Sequence, residues 1–282
     1  MRCLLFFVSA FALLASLLVM GNDARGSASP AGTPLAVPGI DRKPLAAGVL
    51  DALPPAPALV GLARVTYDPG AAEEIGIGPY GDLVSVESGA LTIGTDGIAT
   101  VTRSGNRSEQ TGAGTDFVVG KGESAVVPGG FAVEIRNAGQ TPAVVLVGFV
   151  GVVEGDPSGR PADPAGVVQQ LLGLGITTAA PSAPGLLSLD HVALAANAAL
   201  PIAGDAPSLT LVAMESGVAA VRCDAPLTVI HASGPPARVA TGTEVTIDAG
   251  DSVLLPQHAC GELRNPGPEP AQMLTLAVES EK

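Results

Sequence analysis

The chain of 282 residues is 47% hydrophobic and 15% charged, enough apolar surface for a sizeable core and against general disorder. Its formal charge of −13 comes from scattered Asp and Glu, with no run of Lys or Arg, which argues against nucleic acid as a partner. Aromatic residues make up only 3% and Trp is absent, while Val, Ala, Gly and Pro abound, so short strands joined by tight turns are expected rather than long packed helices.

Residues 1–28 read as a secretory signal: Arg2 precedes an apolar run from Cys3 to Met20, and the small residues Gly26, Ser27, Ala28 and Ser29 follow. An exported protein, secreted or extracytoplasmic, is therefore expected. The run of about 18 residues also reaches the lower limit of a bilayer span, so an uncleaved N-terminal anchor stays open as the one route to a membrane. Residues 29–58 hold Pro30, Pro34, Pro38, Pro44, Pro54, Pro55 and Pro57 among Ala and Gly and read as a flexible segment.

From 59 to 153 the chain alternates apolar and polar residues in short Val-rich segments: Leu62 to Tyr67, Leu83 to Val86, Phe117 to Val119, Ser124 to Val127, Val133 to Ile135 and Val144 to Phe149. Residues 154–183 read as a linker with one short helix from Asp163 to Leu172, capped by Asp163, started by Pro164 and stopped by Gly173 and Gly175. Residues 184–279 return to strands, at Leu187 to Leu194, Leu209 to Met214, Val245 to Ile247, Ser252 to Leu255, Glu262 to Leu263 and Met273 to Val278.

The two strand-rich halves are copies of one unit. At an offset of 128, Glu87-Ser88-Gly89 recurs as Glu215-Ser216-Gly217, and Asp116 meets Glu244, Gly122 meets Gly250, Pro128 meets Pro256, Arg136 meets Arg264 and Asn137 meets Asn265. An all-β fold of two tandem sandwich-like barrels is predicted.

Gly122, Pro128, Gly130 and Asn137 stand at the spacing of the second motif of the cupin family, which this chain resembles. Val133 occupies that motif's His position. In the second copy Gly250, Pro256 and Asn265 fit, while His258 replaces the second Gly and Gly261 the His. Gly89 and Gly217 match the last Gly of the first motif, which puts Asp82 and Thr210 at its Glu position. Its two His positions then fall on Gly76 and Gly78, or Ile75 and Ile77, in the first copy, and on Gly204 and Ala206, or Ala203 and Asp205, in the second. The resemblance implies two jelly-roll barrels, a bicupin, whose metal-binding histidines are absent from both copies; no cofactor is expected, because a lone Asp82 is too poor a donor set for Fe, Mn or Zn.

If the positions of the lost His face inward, alternation points Phe131, Val133 and Ile135 into the first barrel, with Asp82, Val84 and Val86 opposite, and Thr210, Val212, Met214, Gly261 and Leu263 into the second. Such interiors are either filled core or small apolar pockets oriented by Asp82 or Thr210. A ligand site would thus comprise Asp82, Val84, Phe131, Val133, Ile135, Thr210 and Met214, with Asp82 the one candidate for acid–base catalysis. Of the three histidines, His258 and His191 are the only weak candidates for a metal. Cys223 and Cys260 either pair as a disulfide or remain two buried thiols. The expectation is a metal-free module that binds a small ligand or serves a structural role, without catalysis. The alternatives are a cupin-type enzyme working through Asp82 or an unseen metal site, and a scaffold that binds another protein.

Overall fold

The computed structural model describes residues 37–76, 78–153, 164–202 and 208–281. The signal expected at 1–28 and the first residue of the expected helix, Asp163, lie outside them.

The described residues form strands and turns only. The chain opens with β1 (Ile40–Leu50), and the first copy follows as β2 (Ala58–Tyr67), β3 (Ala72–Gly76), β4 (Asp82–Ser88), β5 (Ala90–Thr95), β6 (Thr100–Arg103), β7 (Arg107–Gln110), β8 (Phe117–Gly120), β9 (Ser124–Val127), β10 (Ala132–Arg136) and β11 (Ala143–Val152). Next comes β12 (Val167–Thr177), then the second copy: β13 (Gly185–Leu194), β14 (Ala199–Ile202), β15 (Leu209–Ser216), β16 (Val218–Cys223), β17 (Leu227–Ile230), β18 (Ala237–Val239), β19 (Val245–Asp248), β20 (Ser252–Leu255), β21 (Gly261–Arg264) and β22 (Ala271–Ser280).

Each copy is a barrel of two antiparallel sheets, and the strand orders correspond one for one. The first has a seven-stranded sheet, β12-β2-β11-β4-β9-β6-β7, facing a four-stranded one, β3-β10-β5-β8; the second has β1-β13-β22-β15-β20-β17-β18 facing β14-β21-β16-β19. The arms are exchanged. β1 precedes the first copy but pairs with β13 of the second barrel, and β12 precedes the second copy but pairs with β2 of the first. The repeat therefore extends upstream of the predicted barrels, and both arms carry a register shift at the matching place, between Pro44 and Ala46 and between Leu171 and Gly173.

This exchange corrects two expectations. Within 29–58, residues Ile40–Leu50 are an ordered strand rather than a flexible stalk, and Pro44 is tolerated because it sits at a bulge in an edge strand. In the linker, Val167–Thr177 is a strand, not the end of a helix. Gly173 and Gly175 are small because the strand lies flat on the second barrel: a Cβ on Gly175 would come 2.8 Å from the Cβ of Leu254, and one on Gly173 would come 3.1 Å from that of Ser252.

The central strands of the long sheets, such as β4, β15, β20 and β22, are buried on both faces, which is why they read as near-continuous apolar runs. Along β11, Ala143, Val145 and Val147 point into the first barrel, while Leu146 and Val150 point out, into a third core between the barrels. β22 does the same, with Met273 inside the second barrel and Leu274, Leu276 and Val278 in the shared core. That core also takes Leu62, Leu83, Leu187, Leu189 and Leu211, and each fully buried leucine contributes roughly 2 kcal/mol. The two barrels are thus one cooperative body in their packing.

The repeated motif residues are turn and staple chemistry. Gly89 and Gly217 have φ of 74° and 76°, and a Cβ on either would meet the Cα of Ala143 or Ala271 within 3 Å, at 2.8 and 2.9 Å. The buried Asn137 donates through Nδ2 to the carbonyls of Tyr67 and Thr141 at 2.9 and 2.8 Å and accepts from the Gly139 amide, tying the turn after β10 to the end of β2. Asn265 does the same with Leu194, Glu269 and Gly267. The Arg136–Asp116 and Arg264–Glu244 matches of the repeat are an ion pair in each copy, both exposed.

Candidate functional site

β2, β3, β4, β10 and β11 surround a cavity of about 310 Å³ in the first barrel, and β12 of the second repeat closes its side. Apolar side chains make most of the wall: Val65, Ile75, Val84, Val127, Ile135, Val147 and Phe149, with Leu171 at the rim. The polar groups are Asp82, Glu73, Tyr67 and Gln169, and among the described residues no Lys, Arg or His lines the cavity.

Asp82 starts β4, opposite Phe149 of β11 and Val127 of β9. Among the described residues its carboxylate has neither a hydrogen-bond donor nor a cation, and burial pushes its pKa up to about 6. Tyr67 and Glu73 form a second polar element, in which the buried phenol donates a hydrogen bond to the Glu73 carboxylate. Burial and then Glu73 hold the phenol far above its ordinary range, so it remains a donor.

The second barrel has a smaller cavity of about 220 Å³ with a different polar set. Thr210 stands in the place of Asp82, and Leu200 in that of Glu73. Arg42, reaching in from β1, is neutralised there by Asp190, with Nε 3.0 Å from Oδ2. Gln169 is its counterpart from β12 in the first barrel.

Of the residues expected at the site, Asp82, Val84 and Ile135 line the first cavity and Thr210 the second. Val133 and Met214 point inward but are packed in the barrel cores instead of lining the cavities. Phe131 is a correction: it is 42% exposed and lies on a groove outside the barrel, because β10 begins only at Ala132 and the Gly129-Gly130 turn breaks the alternation. Tyr67, Glu73, Phe149 and Gln169 escaped sequence reasoning. Parity along β2 and β3 could have found the first two, but nothing local marks Gln169.

The donor set does not fit a transition metal. The motif's His positions hold Val133 and either Gly76 or Ile75, and among the described residues no three His, Cys, Asp or Glu side chains converge on a common point. His258 is exposed on a turn with φ of 59°, taking the place of Gly130, whose φ is 84°. His191 lies beside Glu215 with Nε2 3.4 Å from Oε2, and His231 is bound through Nδ1 to Asp251 at 2.9 Å. The structure holds Cys223 and Cys260 as free thiols, the first buried and the second exposed, so neither the disulfide nor the pair of buried thiols is as expected.

No family model and no curated protein matches this chain. Similar solved structures include a mutant of Bacillus subtilis oxalate decarboxylase, at 15% identity over 78% of this chain and 70% of that chain, with a TM-score of 0.41. A formate complex of Lactobacillus farciminis oxalate decarboxylase matches at 13% identity over 78% of each chain, with a TM-score of 0.42. The coconut allergen cocosin matches at 12% identity over 84% of this chain and 86% of that chain, with a TM-score of 0.44. Nothing about this chain's ligand or activity follows from them. By its own repeat, strand order and motif turns, the chain has the two-barrel cupin fold.

Proposed function

We propose that this is an exported, metal-independent two-barrel protein that binds a small, largely apolar molecule in the first barrel and does not transform it. The observation that carries the reading is the unpartnered Asp82 carboxylate in an apolar cavity of about 310 Å³, the lower end of the ~300–1,000 Å³ of ligand sites. Asp82 is partly buried, and among the described residues no fully buried side-chain oxygen lacks a partner, so its carboxylate opens onto the cavity, where a ligand group can meet it. Catalysis is disfavoured because the other acid in the cavity, Glu73, is engaged by Tyr67.

Titration of the methyl-labelled protein with 2-phenylethanol tests this by NMR. Saturable shifts at Val84, Val127, Ile135 and Val147, absent when Val84 is replaced by Phe, are expected. An unperturbed first barrel at millimolar probe would overturn the reading.

A further inference from the structure

The first cavity is electrostatically one-sided. Among the described residues Asp82 on β4 and Glu73 on β3 are its only carboxylic acids, Tyr67 on β2 is a neutral donor, β12 brings the uncharged Gln169, and no basic side chain lines the wall. In the second barrel the arm brings Arg42 to Asp190, so an acid there is already neutralised. The first barrel has an acid with no such partner, and the same arm position supplies an amide. Two aromatic rings, Phe149 and Tyr67, stand in the same wall.

We propose that the ligand of the first barrel is an organic cation, an amine or quaternary ammonium with an apolar body, whose charge is the missing counter-ion of Asp82. This rests on the reading that the cavity binds a ligand. The apolar wall takes the body, Asp82 takes the cationic head, and the aromatic rings offer it their faces. The second barrel, with Thr210 for Asp82, has no such preference.

Calorimetric titration of the whole protein at pH 7.5 with 2-phenylethylamine, 2-phenylethanol and phenylacetate tests the charge preference with bodies of one shape. A charge-assisted contact predicts that the amine binds about tenfold or more tighter than the alcohol and that phenylacetate binds worst. Asp82→Asn should bring the amine to the level of the alcohol, and a cooperative thermal melt shows that the variant is folded. Amine affinity should fall as pH drops below about 6, while that of the alcohol stays flat. An alcohol or phenylacetate that binds as tightly as the amine, or an amine preference that survives Asp82→Asn, overturns the proposal while leaving the binding site standing. If none of the three binds, both readings fall.

Discussion

Arg64 of the first barrel holds Glu215 of the second, with Nη2 2.6 Å from Oε1, while its Nε is bound to Glu87 of its own barrel at 2.6 Å. The guanidinium lies on the boundary between the copies and bridges the two Glu residues that the repeat places in equivalent positions. Arg64→Ala leaves these carboxylates facing each other in a half-buried site, and a loss of about 2–3 kcal/mol is expected in urea denaturation. Glu215→Gln, which keeps a hydrogen bond, should cost less. A loss below about 0.5 kcal/mol in Arg64→Ala would mean that the ion pair adds little to the exchanged arms and the shared leucine core in joining the barrels.

Asp82 makes stability depend on pH in a definite sense. Its folded pKa of about 6 lies above the ~3.9 of an unfolded Asp, so the native state binds the proton more tightly and this carboxyl subtracts stability as pH rises from about 4 to about 6. Above that range the penalty is complete, at most about 3 kcal/mol. Asp82→Asn should therefore raise the denaturation midpoint at pH 8 and change it little at pH 4. A difference between the two proteins that is equal at both values would show that Asp82 is solvated.

His258 occupies a left-handed turn that the first copy fills with Gly130. His258→Gly should stabilise the protein by roughly 0.5–1 kcal/mol, the difference between αL strain and the entropy of an added glycine. Destabilisation on thermal melting would mean that the imidazole makes contacts that outweigh the strain.

Asn137→Ala removes three hydrogen bonds at a buried turn and strands the backbone groups of Tyr67 and Gly139. A loss of roughly 2–4 kcal/mol is expected. Because Tyr67 is anchored through this turn, the same variant should also weaken binding of 2-phenylethanol in the calorimeter. Wild-type stability would exclude the staple.

The copies and their turn motifs were legible because glycine, proline and asparagine do the same backbone work in each: Gly89 and Gly217 avoid the Ala143 and Ala271 backbones, and Asn137 and Asn265 tie the same turn. Asp82 followed from the motif position that the cupin resemblance implies, and Val84 and Ile135 from strand parity. The arms were not legible, because what makes β1 and β12 strands is their pairing with β13 and β2, which lie far away in the chain. Locally, Pro44 argued for a stalk, and Gly173 and Gly175 for a helix stop. Gln169 was missed with its strand, and Phe131 was misplaced because parity was carried across the turn before β10.

The exchange of β1 and β12 sets an order on synthesis. A nascent first barrel has an open edge along β2 until residue 177 has emerged, and β1, among the earliest strands made, has no partner until β13 follows. Either half alone would present a bare strand edge, the kind of template on which chains stick to one another. Half-length products of this gene should therefore aggregate rather than persist as single barrels, so that the duplication, once its arms were exchanged, could not readily be undone.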